Sequence, residues 1–222
     1  MRTRLLVGLL TLLPLAAAAQ THVWLADART GCKLWARKVA AIDAVTWSGP
    51  CADGLANGRG KVEFLESGKP IWTGDAGFLA GKREGASRLV SATEHIVEEE
   101  YRAGERHGWM VHTQPSGERT EHEYRSGSLT GRGVYRWADG AKYEGDFANG
   151  AFNGQGTFTA PDGRVYVGGW RNSRPYGQGA LTAKLADGTI GTLSGMWRDG
   201  CYVSPDGGTA VLLATRKECG FE

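Results

Sequence analysis

Residues 143–156 read YEGDFANGAFNGQG, with glycines set at regular intervals among aromatic residues. Such a run is compatible with a phosphate-binding loop, a low-complexity tract, or a structural repeat that needs glycine at fixed positions. The phosphate loop is disfavoured, because no third glycine follows Gly154 and Gly156 at the required spacing and no helical pattern begins after them. A collagen-like tract is excluded, because the chain holds 34 Gly but only 7 Pro and has no G-X-Y period. These residues therefore favour a structural repeat.

The glycine at position 150 belongs to a series that recurs along the chain in steps of 23 or 27 residues. The series consists of Gly54, Gly81, Gly104, Gly127, Gly150, Ser173 and Gly200. A second glycine follows four residues after each of these anchor positions except the last, and an aromatic residue precedes each by three except the first. So many coincident positions identify about seven copies of one unit.

The spacing within a unit predicts a β-hairpin. Positions seven, five and three residues before an anchor share one parity, so their side chains point to one face of a strand. Glycine at the anchor and four residues beyond permits the positive φ of a tight reversal, and the Asp-Gly pair at 139–140 marks the opposite turn. A glycine beside an aromatic on the same face leaves space for the ring to lie flat. One hairpin cannot bury its aromatic row alone, so the units must stack.

These residues resemble the MORN (membrane occupation and recognition nexus) repeat, whose unit begins Y-x-G, continues with an aromatic and N-G, and closes with G-x-G. The stretch YEGDFANGAFNGQG matches this pattern, and YVGGWRNSRPYGQG at 166–179 matches with Ser173 in place of one glycine. The resemblance spans roughly residues 47–200 and implies an elongated antiparallel β-meander, the all-β fold that the periodicity also predicts. It further implies a non-catalytic module, since catalysis in this family usually resides in a separate appended domain.

The chain divides into four segments. Residues 1–19 have a basic start, an apolar stretch and an A-x-A cleavage site, and they predict a secretory signal peptide. Residues 20–46 form an N-terminal cap, residues 47–200 the repeat array with its strongest motifs at 124–179, and residues 201–222 a C-terminal cap. The signal predicts a soluble, exported protein of a bacterial periplasm or the extracellular space.

All four cysteines lie in the predicted exported part, which favours disulfide bonds. Three pairings are possible, and the positions favour Cys32 with Cys51 and Cys201 with Cys219, one pair at each end of the array. A zinc site is the alternative, although the close C-x-x-C spacing typical of zinc ligands is absent. The favoured pairing would close the exposed ends of the sheet.

The predicted mature chain is electrically neutral, with 24 basic and 24 acidic residues once the signal is removed. Nucleic-acid binding requires a basic surface that neutralises phosphates, and no such cluster is present. No motif predicts a cofactor, and a G-x-S-x-G nucleophile motif is missing, so we expect no enzymatic activity.

Two sets of residues are candidates for binding. The aromatic row predicts a surface for a partner, although core packing is the first role expected of its members. The row consists of Tyr124, Tyr143, Phe147, Tyr166 and Trp170. The units at 95–124 depart from the repeat and collect four of the five histidines, so His112, His122 and Glu99 are a weak metal candidate beside the plain interpretation as solvated strand positions.

The sequence thus predicts an exported repeat scaffold that binds an unidentified protein or cell-envelope polymer. Association with a membrane surface is the alternative suggested by the family, although a neutral chain has little attraction for anionic lipid. A carbohydrate-active enzyme of the cell envelope is a third and weaker hypothesis, because a thin meander offers no deep pocket for a pair of catalytic carboxylates.

Overall fold

The computed structural model describes residues 22–204 and 207–221. Within these two ranges the chain forms strands, turns and loops and contains no helix. Hence the described residues hold no helix that is long and apolar enough to cross a membrane. The predicted signal peptide at 1–19 lies outside the described residues.

The strands follow one another along the chain with short connections. They are β1 (His22–Ala26), β2 (Lys33–Arg37), β3 (Ala44–Trp47), β4 (Cys51–Ala52), β5 (Leu55–Ala56), β6 (Gly58–Glu66), β7 (Lys69–Leu79), β8 (Lys82–Arg83), β9 (Gly85–Ser91), β10 (Ile96–Arg102), β11 (Glu105–Arg106), β12 (Gly108–Thr113), β13 (Arg119–Arg125), β14 (Ser128–Arg136), β15 (Lys142–Ala148), β16 (Ala151–Thr159), β17 (Val165–Arg171), β18 (Arg174–Lys184), β19 (Ile190–Arg198), β20 (Cys201–Val203) and β21 (Thr209–Val211).

These strands form one long sheet and one small sheet. The small sheet has the order β1-β2-β5-β4. In the long sheet, β3 pairs with β6. From β6 to β21 the strands are antiparallel, and each pairs with its neighbours in chain order. The short strands β8 and β11 pair with β7 and β10, respectively. No pairing within the described residues joins β3 to β21, so the sheet is open. The predicted antiparallel β-meander is confirmed.

The hairpin turns follow the predicted geometry. At the turn between β15 and β16, Asn149 and Gly150 both have positive φ, at 52° and 76°. Two successive positive φ angles are the mark of the type I′ turn that suits a right-twisted hairpin. Ser173 replaces glycine at the next anchor and keeps φ at 63°, after Asn172 at 49°. Every unit therefore has a positive φ angle at its anchor position.

Adjacent hairpin turns are joined by backbone hydrogen bonds that run along one side of the sheet. The amide of Gly104 donates to the carbonyl of Arg83 at 2.9 Å, and the amide of Gly127 donates to the carbonyl of Arg106 at the same distance. Equivalent bonds join Gly81 to Ala56, Ser173 to Phe152 and Gly200 to Pro175. The repeat length is thus fixed at the turns as well as in the strands.

The aromatic rings lie flat over glycines, as the spacing predicts. Cross-strand pairing places Gly145, Gly156 and Gly168 in one row, beside a row that contains Tyr143 and Tyr166. A Cβ added at Gly156 would lie 2.5 Å from the ring of Tyr143, so only glycine fits there. The Tyr143 hydroxyl donates to the carbonyl of Asp146 at 2.8 Å, and burial raises the pKa of this phenol well above its ordinary value.

The core consists of two clusters of buried residues on the same sheet face. The C-terminal cluster is built around Tyr143, Tyr166 and Trp197, and the N-terminal cluster around Trp47 and Phe78. The segment 95–124 contributes no member to either cluster among the described residues. The face of the sheet is therefore least apolar in its middle.

Each end of the sheet carries one disulfide bond, and both favoured pairings are confirmed. Cys32 is joined to Cys51 and Cys201 to Cys219, with Cα–Cα distances of 5.9 and 5.5 Å. Each bond closes a loop of nearly 20 residues, which stabilises the fold by about 3 kcal/mol in the chain-entropy account. At the N-terminal end the carboxylate of Asp27 also accepts a hydrogen bond from the amide of the edge residue Trp47 at 2.7 Å.

Candidate binding groove

A groove of about 380 Å³ lies where the N-terminal hairpin β1–β2 meets the core-facing side of β6, β7, β9 and β10. Much of its lining is apolar and comes from Trp35, Phe64, Trp72, Leu89 and Val97. Its polar lining includes Arg83, Glu99, Tyr101 and Arg106. The groove thus lies at the boundary between the N-terminal core cluster and the segment 95–124.

Glu99 stands at the centre of the polar lining. It occupies the strand position at which the regular units carry glycine, and it is 7% exposed. Its carboxylate accepts a hydrogen bond from Arg106 Nε at 2.5 Å and another from the Tyr101 hydroxyl at 2.6 Å. A buried carboxylate is tolerated only when it is paired and hydrogen-bonded in this way.

The partners of Glu99 are electrostatically adapted to it. Burial alone would lower the pKa of Arg106, but the Glu99 carboxylate together with the nearby Tyr101 and Tyr124 outweighs burial and raises that pKa. Burial raises the pKa of Tyr101, so its phenol stays protonated and serves as a hydrogen-bond donor. The Glu99 carboxylate is therefore engaged by both partners, while Arg106 contributes only its Nε atom to the pair.

Arg83 is another half-buried charged group of the lining. The lining also includes two exposed charged residues, Arg37 and Glu105. Its guanidinium carbon lies 5.6 Å from the centroid of the Phe64 ring, 5.9 Å from that of Phe78 and 5.1 Å from that of Tyr101. One terminal nitrogen, Nη1, donates to Ser87 Oγ at 2.7 Å. Among the described residues, no carboxylate lies within 4.0 Å of this guanidinium. Arg83 is held in place by rings rather than by an opposite charge.

The predicted aromatic row lies mainly in the core. Tyr143 and Tyr166 are 0% exposed and Trp170 is 3% exposed, and all three belong to the C-terminal cluster. Phe147 is half-buried and packs against that cluster, while the half-buried Tyr124 ring lies beneath the Arg106 guanidinium at 5.5 Å. Four of the five, all but Tyr124, therefore pack in or against the core; the binding role stays a prediction, and none of the five lines the groove.

The weak metal candidate is not assembled. Glu99 is occupied by Arg106 and Tyr101, whereas His112 Nε2 lies 2.9 Å from Nδ1 of His95. His122 instead packs edge-on against Phe147 with ring centroids 5.1 Å apart. The described ranges contain no group of three or more His, Cys, Asp or Glu side chains that could hold a metal ion.

The two central histidines are both held in partly apolar surroundings. Burial lowers the pKa of His122, and its Nδ1 atom is buried with no hydrogen-bond partner among the described residues. Burial, with a smaller contribution from His95, also lowers the pKa of His112. Both rings are therefore stabilised in the neutral form.

The sequence pattern indicates one residue of this groove, Glu99, and gives no sign of several others. Glu99 was singled out because it breaks the glycine position of the repeat. Arg83, Trp35 and Trp72 were missed, since each looks like an ordinary strand residue until the β1–β2 hairpin is placed over the sheet. The loss of regularity at 95–124 was the signal that located the region.

The open sheet of stacked hairpins defines a repeat protein of the antiparallel β-meander class. The family model of the MORN repeat matches residues 123–142 and 143–163. Residues 123–163 of the chain are therefore MORN repeats, and they lie at the start of its most regular part.

Comparisons of whole chains add little to this assignment. No curated protein sequence matches this chain. A solved structure of the SAS-4 (dCPAP) TCP domain in complex with a proline-rich motif of Ana2 (dSTIL) from Drosophila melanogaster has 14% sequence identity and a TM-score of 0.33, with 82% of this chain and 95% of that chain covered. At that TM-score the similarity supports no argument about function.

Proposed function

We propose that this protein is a non-catalytic, exported repeat scaffold that binds a protein or cell-envelope polymer through the groove. The observation that carries the proposal is the combination of an apolar wall with fixed charges at one place on the core-facing side of the sheet. Concave sites of this size with few convergent polar groups are the usual form of a ligand site. The two disulfides are compatible with an oxidising, exported location.

The groove suits binding better than catalysis. Its buried carboxylate, Glu99, is engaged by Arg106 and Tyr101, and a general acid or base must be within reach of a substrate proton. The strands β6, β7, β9 and β10 on one side and the N-terminal hairpin on the other hold the walls, so the site is supported by rigid elements. Binding by preformed walls requires little reorganisation.

The test fills the groove without removing a contact. Val97 is half-buried on the groove wall, and Val97→Phe would add a ring to the space that a partner needs. Val167→Phe is the matched control, because Val167 is 54% exposed on β17, outside the groove. Both variants would be checked for folding by thermal unfolding.

The disulfide-bonded protein would be immobilised, exposed to an envelope extract with its soluble wall polymers, and cross-linked. We expect at least one component that the wild type and Val167→Phe retain and Val97→Phe loses. Equal retention by all three proteins would contradict the proposal. Sedimentation with anionic vesicles at moderate salt is the parallel arm, and retention there would favour the membrane-surface alternative.

A further inference from the structure

Among the buried and half-buried charged groups that line the groove, Arg83 is left without an opposite charge in the described part of the chain, and the other unpaired charges of the lining, Arg37 and Glu105, are exposed. Two of its guanidinium nitrogens, Nε and Nη2, have no protein acceptor among the described residues, since its hydrogen bond to Ser87 uses Nη1. A half-buried cation without a counter-ion is costly, and the three neighbouring rings offset only part of that cost. A guanidinium with free donors fits the geometry of a carboxylate, which it can bind through two parallel hydrogen bonds.

The buried carboxylate and the phenol of this lining leave little for a ligand to bind. The Glu99 carboxylate accepts from Arg106 Nε and from the Tyr101 hydroxyl, so it offers few free acceptors toward the groove. The terminal nitrogens of Arg106, by contrast, make no hydrogen bond within the described residues and add to the positive charge of Arg83. A sugar ring requires hydrogen bonds to several hydroxyl groups, and leaving those hydroxyls unpaired in the groove would be unfavourable. The lining therefore favours a ligand with one strong anionic group and an otherwise apolar body.

The apolar lining beside this charge is suited to such a body. Phe64, Trp72, Leu89 and Val97 line the groove with aromatic and aliphatic surface. A volume of about 380 Å³ accommodates a large side chain together with its backbone carboxylate. Burial of a Phe or Leu side chain would contribute apolar affinity, while Arg83 would fix the orientation.

We infer that the groove binds the carboxyl-terminal residue of an extended polypeptide, with its large apolar side chain on the aromatic wall and its carboxylate on Arg83. This inference rests on the proposed function, because it names the partner chemistry of the same groove. The charge complementarity selects a free chain end over an internal segment, whose peptide group carries no net charge.

The test compares three small probes on the full disulfide-bonded protein by NMR, with the indole N–H signals of the tryptophans as reporters. The probes are acetyl-Gly-Gly-Phe with a free carboxylate, the same peptide as its amide, and D-glucuronic acid. We expect the acid to shift the Trp35 and Trp72 signals and not that of Trp109, which lies outside the groove. The acid should bind about ten-fold or more tightly than the amide, as a charge-assisted hydrogen bond would require.

Arg83→Gln should abolish the difference between acid and amide, with thermal unfolding confirming that the variant is folded. The acid and amide comparison on the wild type needs no variant, so it holds even if Arg83→Gln fails to fold. Equal binding of acid and amide would overturn the inference, and so would an acid preference that survives in folded Arg83→Gln.

The remaining outcomes separate the inference from the function on which it rests. Binding of D-glucuronic acid without the peptide would replace the chain end with an acidic sugar and overturn the inference alone. If no probe binds while Val97→Phe still loses a captured component, the inference is overturned and the groove keeps its proposed function. If Val97→Phe also changes nothing, both are overturned.

Discussion

Two regions of the same sheet carry opposite kinds of residue at one position of the repeat. In the regular repeats, residues 143–197, glycines such as Gly156 and Gly168 lie beneath tyrosine rings. In the divergent segment, residues 95–124, the equivalent row carries Glu99, Met110 and His122, and the neighbouring row of this segment holds no tyrosine. The first region gains a continuous aromatic core, and the second gains the charged wall of the groove. Replacement of the repeat glycine by Glu99 thus places a charged side chain in the wall of the groove.

The largest expected difference in stability between these regions concerns the strand position that carries the tyrosine rings. Tyr166 is fully buried and its hydroxyl donates to the carbonyl of Gly169, whereas Thr120 takes the corresponding row position in the divergent segment and is half-buried. Tyr166→Ala should lower the free energy of unfolding by about 4 kcal/mol, and Thr120→Ala by about 0.5 kcal/mol. Urea unfolding of both variants measures this, and similar losses would show that the two regions are packed alike.

The glycine row provides the second test. A Cβ at Gly168 would lie 2.4 Å from the Cα of Gly179, so the two strands would have to separate. Gly168→Ala should therefore cost about 3 kcal/mol. Gly163→Ala is the control, since its Cβ meets nothing within 4 Å and only its φ of 85° is unfavourable, at about 1 kcal/mol. Equal costs would mean that backbone strain, and not the close approach of the neighbouring strand, explains the glycines.

In the divergent segment the corresponding test removes a charge. The Glu99 side chain is 5% exposed and that of Arg106 is 29% exposed, so Glu99→Gln leaves a partly buried guanidinium without its partner. We expect a loss of about 2 kcal/mol in the free energy of unfolding. Asp199→Asn, which breaks the exposed pair with Arg171, should cost about 0.5 kcal/mol or less. A Glu99→Gln variant as stable as the wild type would show that the pair does not hold the segment.

The contrast between the regions also explains what the sequence could predict. The hairpin turns and the tyrosine rows follow from local spacing, because positive φ at positions such as Gly150 and clearance above Gly156 depend on neighbours in the repeat. Those features repeat, so a period reveals them. Both disulfides were predicted from position, since an open array needs closure at its ends.

The residues that line the groove do not follow the period of the repeat. Its wall includes Trp35 from the N-terminal hairpin, whose amide donates to the carbonyl of Gly81 at 2.7 Å across the row of turns. That docking joins segments far apart in sequence and leaves no pattern in either of them. The three residues of the metal candidate are not brought together for a related reason. Their shared sheet face can be read from the sequence, but the pairing of Glu99 with Arg106 and the contact of His112 with His95 cannot.

The smallest expected effect is a pH dependence that the divergent segment confers. Burial lowers the pKa of His122 below its ordinary value of 6.5 and also lowers that of His112. The folded state therefore binds fewer protons than the unfolded state once the pH falls below 6.5, so stability present at neutral pH is lost as the pH falls through the lowered values. Unfolding in urea at pH 7.5 and at pH 5 should show the lower stability at acid pH, and His122→Leu should reduce that difference. Met110→Leu, at the facing strand position, should preserve it; a pH dependence that persists unchanged in His122→Leu would place its origin outside this ring.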